Sequence, residues 1–253
     1  MCWVLTDVNT PSKPNTMPPA LSLLPVEQAD LPTLRDLVHS CKLPLAINRL
    51  IIKDWPNEPV QKRQDFASVN GAFESPTVED LKLVDDETGD IIGCLVLRHD
   101  EAKDAGNGGE AIAEPALTAQ DSVPEGVDPD VMKAMLAATA TVEAATNEAH
   151  LSTHLPTTSR CRANSCPEIV YICVKQSRRR QGAGSVMMKA CKAKARSSGL
   201  PLVICAEPAA VAFLTKQGFG ETAHGDIDLS QFVVPMSGFG IFGLTGMIWR
   251  PED

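Results

Sequence analysis

The stretch EIVYICVKQSRRRQGAGSVMMKAC, Glu168–Cys191, decides the reading of this chain. Its first seven residues, Glu168–Val174, form a continuous apolar, β-branched run, the pattern of a strand buried on both faces. Met187, Met188 and Cys191 recur at helical spacing and predict a helix packed on a sheet through that face. The helix should run to about Ser198, with Gly199 as its stop. Between strand and helix lies RRRQGAGS, Arg178–Ser185. Gly182 and Gly184 have no side chain to hold a ligand away. The amides of a first helical turn have no intrahelical partner, and the helix dipole adds partial positive charge. Arg178, Arg179 and Arg180 add formal charge. The stretch predicts a phosphate or pyrophosphate seat; the competing reading is a tight turn and nothing more.

Two nucleotide motifs do not fit. The P-loop pattern GxxxxGK[ST] is absent, and the dinucleotide pattern GxGxxG fails because Met187 stands where its third glycine belongs. A third pattern fits. Arg179-x-x-Gly182-x-Gly184 resembles the R/Q-x-x-G-x-G/A acyl-CoA signature of the GNAT superfamily of N-acetyltransferases. Glu168 opens a Glu-Ile-Val-Tyr strand that is similar to the Glu-Ile-Val-Phe strand of the family's founding histone acetyltransferase. Downstream, AEPAAVAFLTKQGF (Ala206–Phe219) resembles the family's next strand–helix unit. Upstream, LSLLPVEQADLPTLRDL (Leu21–Leu37) is similar to its opening strand and helix. The resemblance covers roughly residues 20–250 and extends to a divergent fungal branch whose substrates are mostly unknown.

The resemblance implies an α/β fold of the acyl-CoA N-acyltransferase type. Its central, mostly antiparallel mixed sheet would splay at the coenzyme and be flanked by helices. It implies acetyl-CoA as co-substrate, with no metal. The pyrophosphate would rest on Arg179, Arg180, Gln181, Gly182, Ala183, Gly184 and Ser185, and the pantetheine arm would pair with Ile172, Cys173 and Val174 like an added strand. An amine of a small molecule or peptide would attack the thioester directly. Such an amine is protonated at neutral pH, and Glu168 is the candidate base that removes the proton. The bland alternative for Glu168 is a solvated strand end.

One departure from the family pattern stands out. The tyrosine that protonates the leaving thiolate in many members is replaced by Leu214. The chain's single tyrosine, Tyr171, falls by strict alternation on the face opposite Glu168. A thiolate with a pKa of about 8–9 can leave without full protonation. A non-catalytic acyl-CoA-binding protein would show the same change. The asparagine often found after the downstream strand is also missing, and Glu207 or Pro208 takes its region.

The rest of the chain bounds this reading. With 253 residues, 43% of them hydrophobic, it can bury a core. A net charge of −9 disfavours nucleic acid and anionic membrane as partners and tolerates a cationic amine. No apolar run is long enough for a membrane span, and no secretory signal is visible. The eight scattered cysteines read as reduced, mostly buried thiols, which points to the cytoplasm or nucleus. Residues 1–19 read as a flexible arm and 20–253 as one acetyltransferase domain, with an irregular or helical insert at about 100–165.

The remaining elements are expected as follows. A strand spans Leu21–Val26, a helix capped by Asp30 follows, and another helix runs from about Pro59 to Phe73. A hairpin joins Leu81–Val84 to Ile91–Leu97, and a weakly patterned helix covers Asp130–Ala149. Leu202–Ala206 is a strand, Pro208–Gln217 a helix and Ile241–Arg250 a last strand. The His150/His154 and Cys161/Cys166 pairs lack the third and fourth ligands of a zinc site and are expected to be incidental. Nothing in the sequence fixes an oligomeric state.

Overall fold

The computed structural model describes residues 20–99, 123–153 and 166–251. Seven strands form one sheet: β1 (Leu21–Pro25), β2 (Val78–Asp85), β3 (Ile91–Arg98), β4 (Glu168–Val174), β5 (Leu202–Ala206), β6 (Gly220–Asp228) and β7 (Ile241–Trp249). Their order is β1-β2-β3-β4-β5-β7-β6, antiparallel throughout except at β4–β5. The helices are α1 (Leu31–Lys42), α2 (Asn48–Ile51), α3 (Glu58–Glu74), α4 (Pro129–Thr153), α5 (Ala183–Ser198) and α6 (Pro208–Lys216).

Two buried clusters cover the two faces of the sheet. Side chains of α1, α3 and α4 join Cys94, Val96, Tyr171, Cys173 and Cys205 on one face. Side chains of α5 and α6 join Leu95, Leu97, Ile169, Ile172 and Ile204 on the other. The stripe Met187, Met188 and Cys191 lies in this second cluster, as its spacing predicts. Gly199 ends α5 with φ of 66°, and its amide returns to Arg196 O.

Four local expectations are revised. Asp30 does stand at the start of α1, but its carboxylate accepts from the Glu27 amide at 2.8 Å and from Lys82 Nζ at 2.6 Å rather than capping the helix. The short helix α2 has no counterpart in the sequence pattern. Strand β6 was likewise not expected, because GETAHGDID lacks apolar alternation; it is an edge strand formed by its ladder to β7. Helix α4 is longer than expected, and its weak stripe has a packing reason. A Cβ placed on Gly246 of β7 would stand 2.1 Å from Thr146 Oγ1, and one on Gly225 of β6 would stand 2.9 Å from Ala138 O. The helix lies so close to the sheet that small residues replace the usual large apolar ones.

Within the expected insert, residues 129–153 are helical and Val127 bridges to Ile52. The expected arm at 1–19, most of the irregular segment, the His150 side chain, His154 and Cys161 lie outside the described part of the chain.

Candidate active site

Strands β4 and β5 meet at one ladder position, Glu168 opposite Val203, where Val203 N–H donates to Pro167 O at 3.1 Å. Beyond that point β5 pairs only with β7 and β4 only with β3. Two parallel strands that share a single pair diverge, leaving a slot between the edge of Ile169–Val174 and the edge of Ile204–Ala206. Glu168 stands at the closed end of this slot. Val174 stands at the open end, roughly 20 Å away at the usual rise of a strand. Ile172, Cys173 and Val174 line the slot's β4 side and are buried.

At the open end the chain enters the glycine turn. Arg180 adopts φ of 64° and Gly182 φ of 90°, both left-handed, and α5 begins at Ala183. The first intrahelical bond is Val186 N–H to Gly182 O at 3.0 Å. The amides of Ala183, Gly184 and Ser185 therefore precede the helical ladder and have no carbonyl partner within it. Gln181, Gly182 and Ser185 are exposed, and Gln181 donates to Ser177 O at 3.0 Å. The turn has the geometry of an anion seat on a helix N-terminus.

The three arginines divide their work, which the sequence did not reveal. Arg178 pairs at 2.6 Å with Asp85, whose side chain is buried, and so ties the turn to the β2–β3 hairpin. Arg179 folds back over the open end of β4, its Nε donating to Val174 O at 3.1 Å and its Nη2 reaching Cys41 Sγ at 3.7 Å. Arg180 is exposed beside the helix start.

At the closed end, Glu168 accepts from Arg98 Nη1 at 3.0 Å. Arg98 also lines a cavity of about 730 Å³ between the sheet, α2, α3 and α4. Most of its wall is apolar, with Val96, Val170, Met132 and Met135 among the residues. Among its polar residues, Asp65 accepts from Lys42 Nζ at 2.9 Å and also pairs with His39 Nδ1 at 2.8 Å, all three buried.

Tyr171 is placed differently from the strict-alternation expectation. The β3–β4 register shifts between Val96 and Leu97, so Val96 faces Tyr171 while Leu97 faces Ile169. This bulge skips Val170, and Val170 and Tyr171 both turn toward the cavity. Tyr171 thus shares the face of Glu168 rather than opposing it. Burial raises the Tyr171 phenol well above its ordinary pKa. Leu214 is fully enclosed against α5 and the sheet.

Residues 140–219 match the acetyltransferase (GNAT) family. The match covers 80 of the 253 residues, from within α4 to just before β6. The chain is similar in fold to the putative arylalkylamine N-acetyltransferase 7 of the yellow fever mosquito, at 14% identity and a TM-score of 0.60, covering 91% of this chain and 87% of that one. It is also similar to a mosquito arylalkylamine N-acetyltransferase-like protein 5b (12%, TM-score 0.58, 92% and 100% covered). A third is the polyamine N-acetyltransferase of Drosophila melanogaster (13%, TM-score 0.55, 92% and 100% covered). No curated protein matches the sequence. Among the described residues, no group of three or more His, Cys, Asp or Glu is placed to hold a metal, and no helix is long and apolar enough to cross a membrane.

Arg98 and the Asp65 patch gave no signal in the sequence, because their roles depend on partners 70 and about 25 residues away. Glu207 was visible only as the residue in the asparagine's region. Its near-complete burial, at 2% exposure, belongs to the fold alone.

Proposed function

We propose that this protein uses acetyl-CoA to acetylate a primary amine of a small molecule or peptide. The observation that carries the reading is the slot. It joins a left-handed glycine turn at the start of α5 to a carboxylate, Glu168, beside a large cavity. The pyrophosphate would sit on the first-turn amides of Ala183, Gly184 and Ser185, with Arg179, Arg180, Gln181 and Gly182 around it. The pantetheine would lie along Ile172–Val174 and fill the ladder that β5 leaves vacant. The coenzyme supplies the activated acetyl thioester; the chain supplies position and proton transfer.

The acceptor would occupy the 730 Å³ cavity, with its amine toward Glu168, directly or through one water. The mostly apolar wall suits an amine on a hydrophobic body. The similar structures include proteins described as acetylating arylalkylamines and polyamines, which supports an amine acceptor.

The test is thiol release from acetyl-CoA across an amine panel. Glu168→Gln should lower kcat by roughly 10²–10⁴-fold and leave coenzyme affinity unchanged. Tight coenzyme binding, with wild-type thiol release no faster than that of Glu168→Gln for every amine, would support the non-catalytic binding protein instead.

A further inference from the structure

Glu207 follows β5 and stands at the start of α6. Its side chain is buried, and its Oε2 is shielded from solvent without a hydrogen-bond partner. An orphaned carboxyl oxygen in an interior is costly, since a buried polar group ordinarily finds a partner. Such an atom calls for a group that arrives with a ligand, or for a proton that makes it neutral.

Its position says which ligand. Val203 is the last β5 residue paired with β4, so Glu207 lies four residues further along the slot, as Ile172 lies four residues beyond Glu168 on β4. Extended backbone at Glu207 continues the alternation of β5, which puts it on the same side as Cys205. On that side Cys205 feels the charges of Glu143, Glu168 and Glu207 together. Leu214, where the family pattern has the phenol, packs with Ala210 on the opposite face of the sheet.

We propose that Glu207 is the acid that protonates the departing sulfur of coenzyme A, in place of the phenol that Leu214 cannot supply. This rests on the acetyl-transfer reading above. The amine nitrogen attacks the acetyl carbon and forms the C–N bond, and Glu168 takes the amine's proton. The C–S bond then breaks with its electron pair on sulfur, and the proton on the Glu207 carboxyl passes to that sulfur. Products are the N-acetyl amine and the free thiol. Net transfer of the proton held by Glu168 back to Glu207, through water, restores both groups.

The surroundings favour a neutral Glu207 at rest. Burial raises its pKa well above the carboxylate range and outweighs the opposing charge of Lys42 on α1. Lys42 is itself committed to Asp65. Other titratable groups on this side are Glu143 of α4, Glu168 of β4 with its partner Arg98, Cys205 of the same strand, and the buried Cys94, Tyr171 and Cys173.

The test compares acetyl-CoA with its selenoester analogue, whose selenolate leaves without a proton. With acetyl-CoA, Glu207→Gln should lower kcat by about 10–100-fold, at or below the low end of general acid catalysis, with coenzyme affinity held within about threefold. With the selenoester the variant should match wild type. Glu207→Asp should recover part of the rate. Equal losses on both donors, or no loss on either, would overturn the proposal; loss of affinity at unchanged kcat would make Glu207 a binding residue only. Should Glu207→Gln fail to fold, the wild-type pH profile decides: kcat must fall on the alkaline side with the thioester and not with the selenoester. A wild type that releases no thiol from any amine refutes acetyl transfer itself, a failure distinct from these.

Discussion

Arg98 and Glu168 are register partners across the β3–β4 ladder, and their side chains pair at 3.0 Å where β4 and β5 part. Arg98 is 41% exposed and Glu168 20%, so the pair borders the cavity rather than lying in the core. A half-exposed ion pair contributes little to stability, about 0–1 kcal/mol. Its effect is to hold the carboxylate in one place. Arg98→Ala should therefore leave the melting temperature within a few degrees of wild type. It should lower kcat/KM by roughly 10–100-fold, the scale of a misplaced reacting group. Coenzyme affinity, measured by calorimetry, should not move. A large loss of stability with normal turnover would show that the pair is structural.

Gly182 is the position at which the proposed anion seat and an ordinary turn predict different outcomes. Its φ is 90°, and nothing lies within 4 Å of where a Cβ would stand. Gly182→Ala therefore meets no neighbour, and its cost is the left-handed backbone, about 1–2 kcal/mol. If the first-turn amides hold the pyrophosphate, the same change should also weaken coenzyme binding, by about tenfold on the scale of one such energy difference. Calorimetric titration with coenzyme A beside a thermal melt reads both effects. A destabilised variant with unchanged coenzyme affinity would reduce Arg179–Ser185 to a turn.

Asp80 on β2 gives the protein a pH-dependent stability. Burial lifts its carboxyl to about 6, against about 3.9 in an unfolded chain. Between those values the folded state binds more protons than the unfolded state, so this group's contribution to stability falls as pH rises from about 4 to 6. Above that window the folded state bears a poorly solvated charge. Asp80→Asn should raise stability at pH 7 by on the order of 1–2 kcal/mol, allowing for partial solvent screening, and the gain should vanish below about pH 4. Urea denaturation of both proteins at pH 7 and below pH 4 measures it; an equal difference at the two pH values would exclude Asp80 as the source.

The coenzyme end of the site was legible because it is built from contiguous residues. An apolar β-branched run specifies a buried strand, glycines permit the left-handed turn, and apolar residues at helical spacing specify the face of α5. These are local properties of the Glu168–Cys191 stretch, and the expected bounds of β4 and β5 match the observed ones.

The Glu168 end of the proposed site was not legible, because it depends on pairing between distant segments. The bulge that skips Val170 turns Tyr171 to the cavity side, and a one-residue shift in register reverses every alternation argument beyond it. The polar sequence of β6 becomes a strand only beside β7. Arg98 meets Glu168 only because β3 and β4 align across the whole expected insert. Glu207 is solvated or buried according to how α1, α4 and α6 close over the end of β5. Local pattern alone set a left-handed glycine turn between a buried strand and a helix, since backbone preference and side-chain periodicity are written residue by residue. The tertiary structure alone decided which carboxylates face the slot, because burial and register are set by contacts between segments that no local pattern encodes.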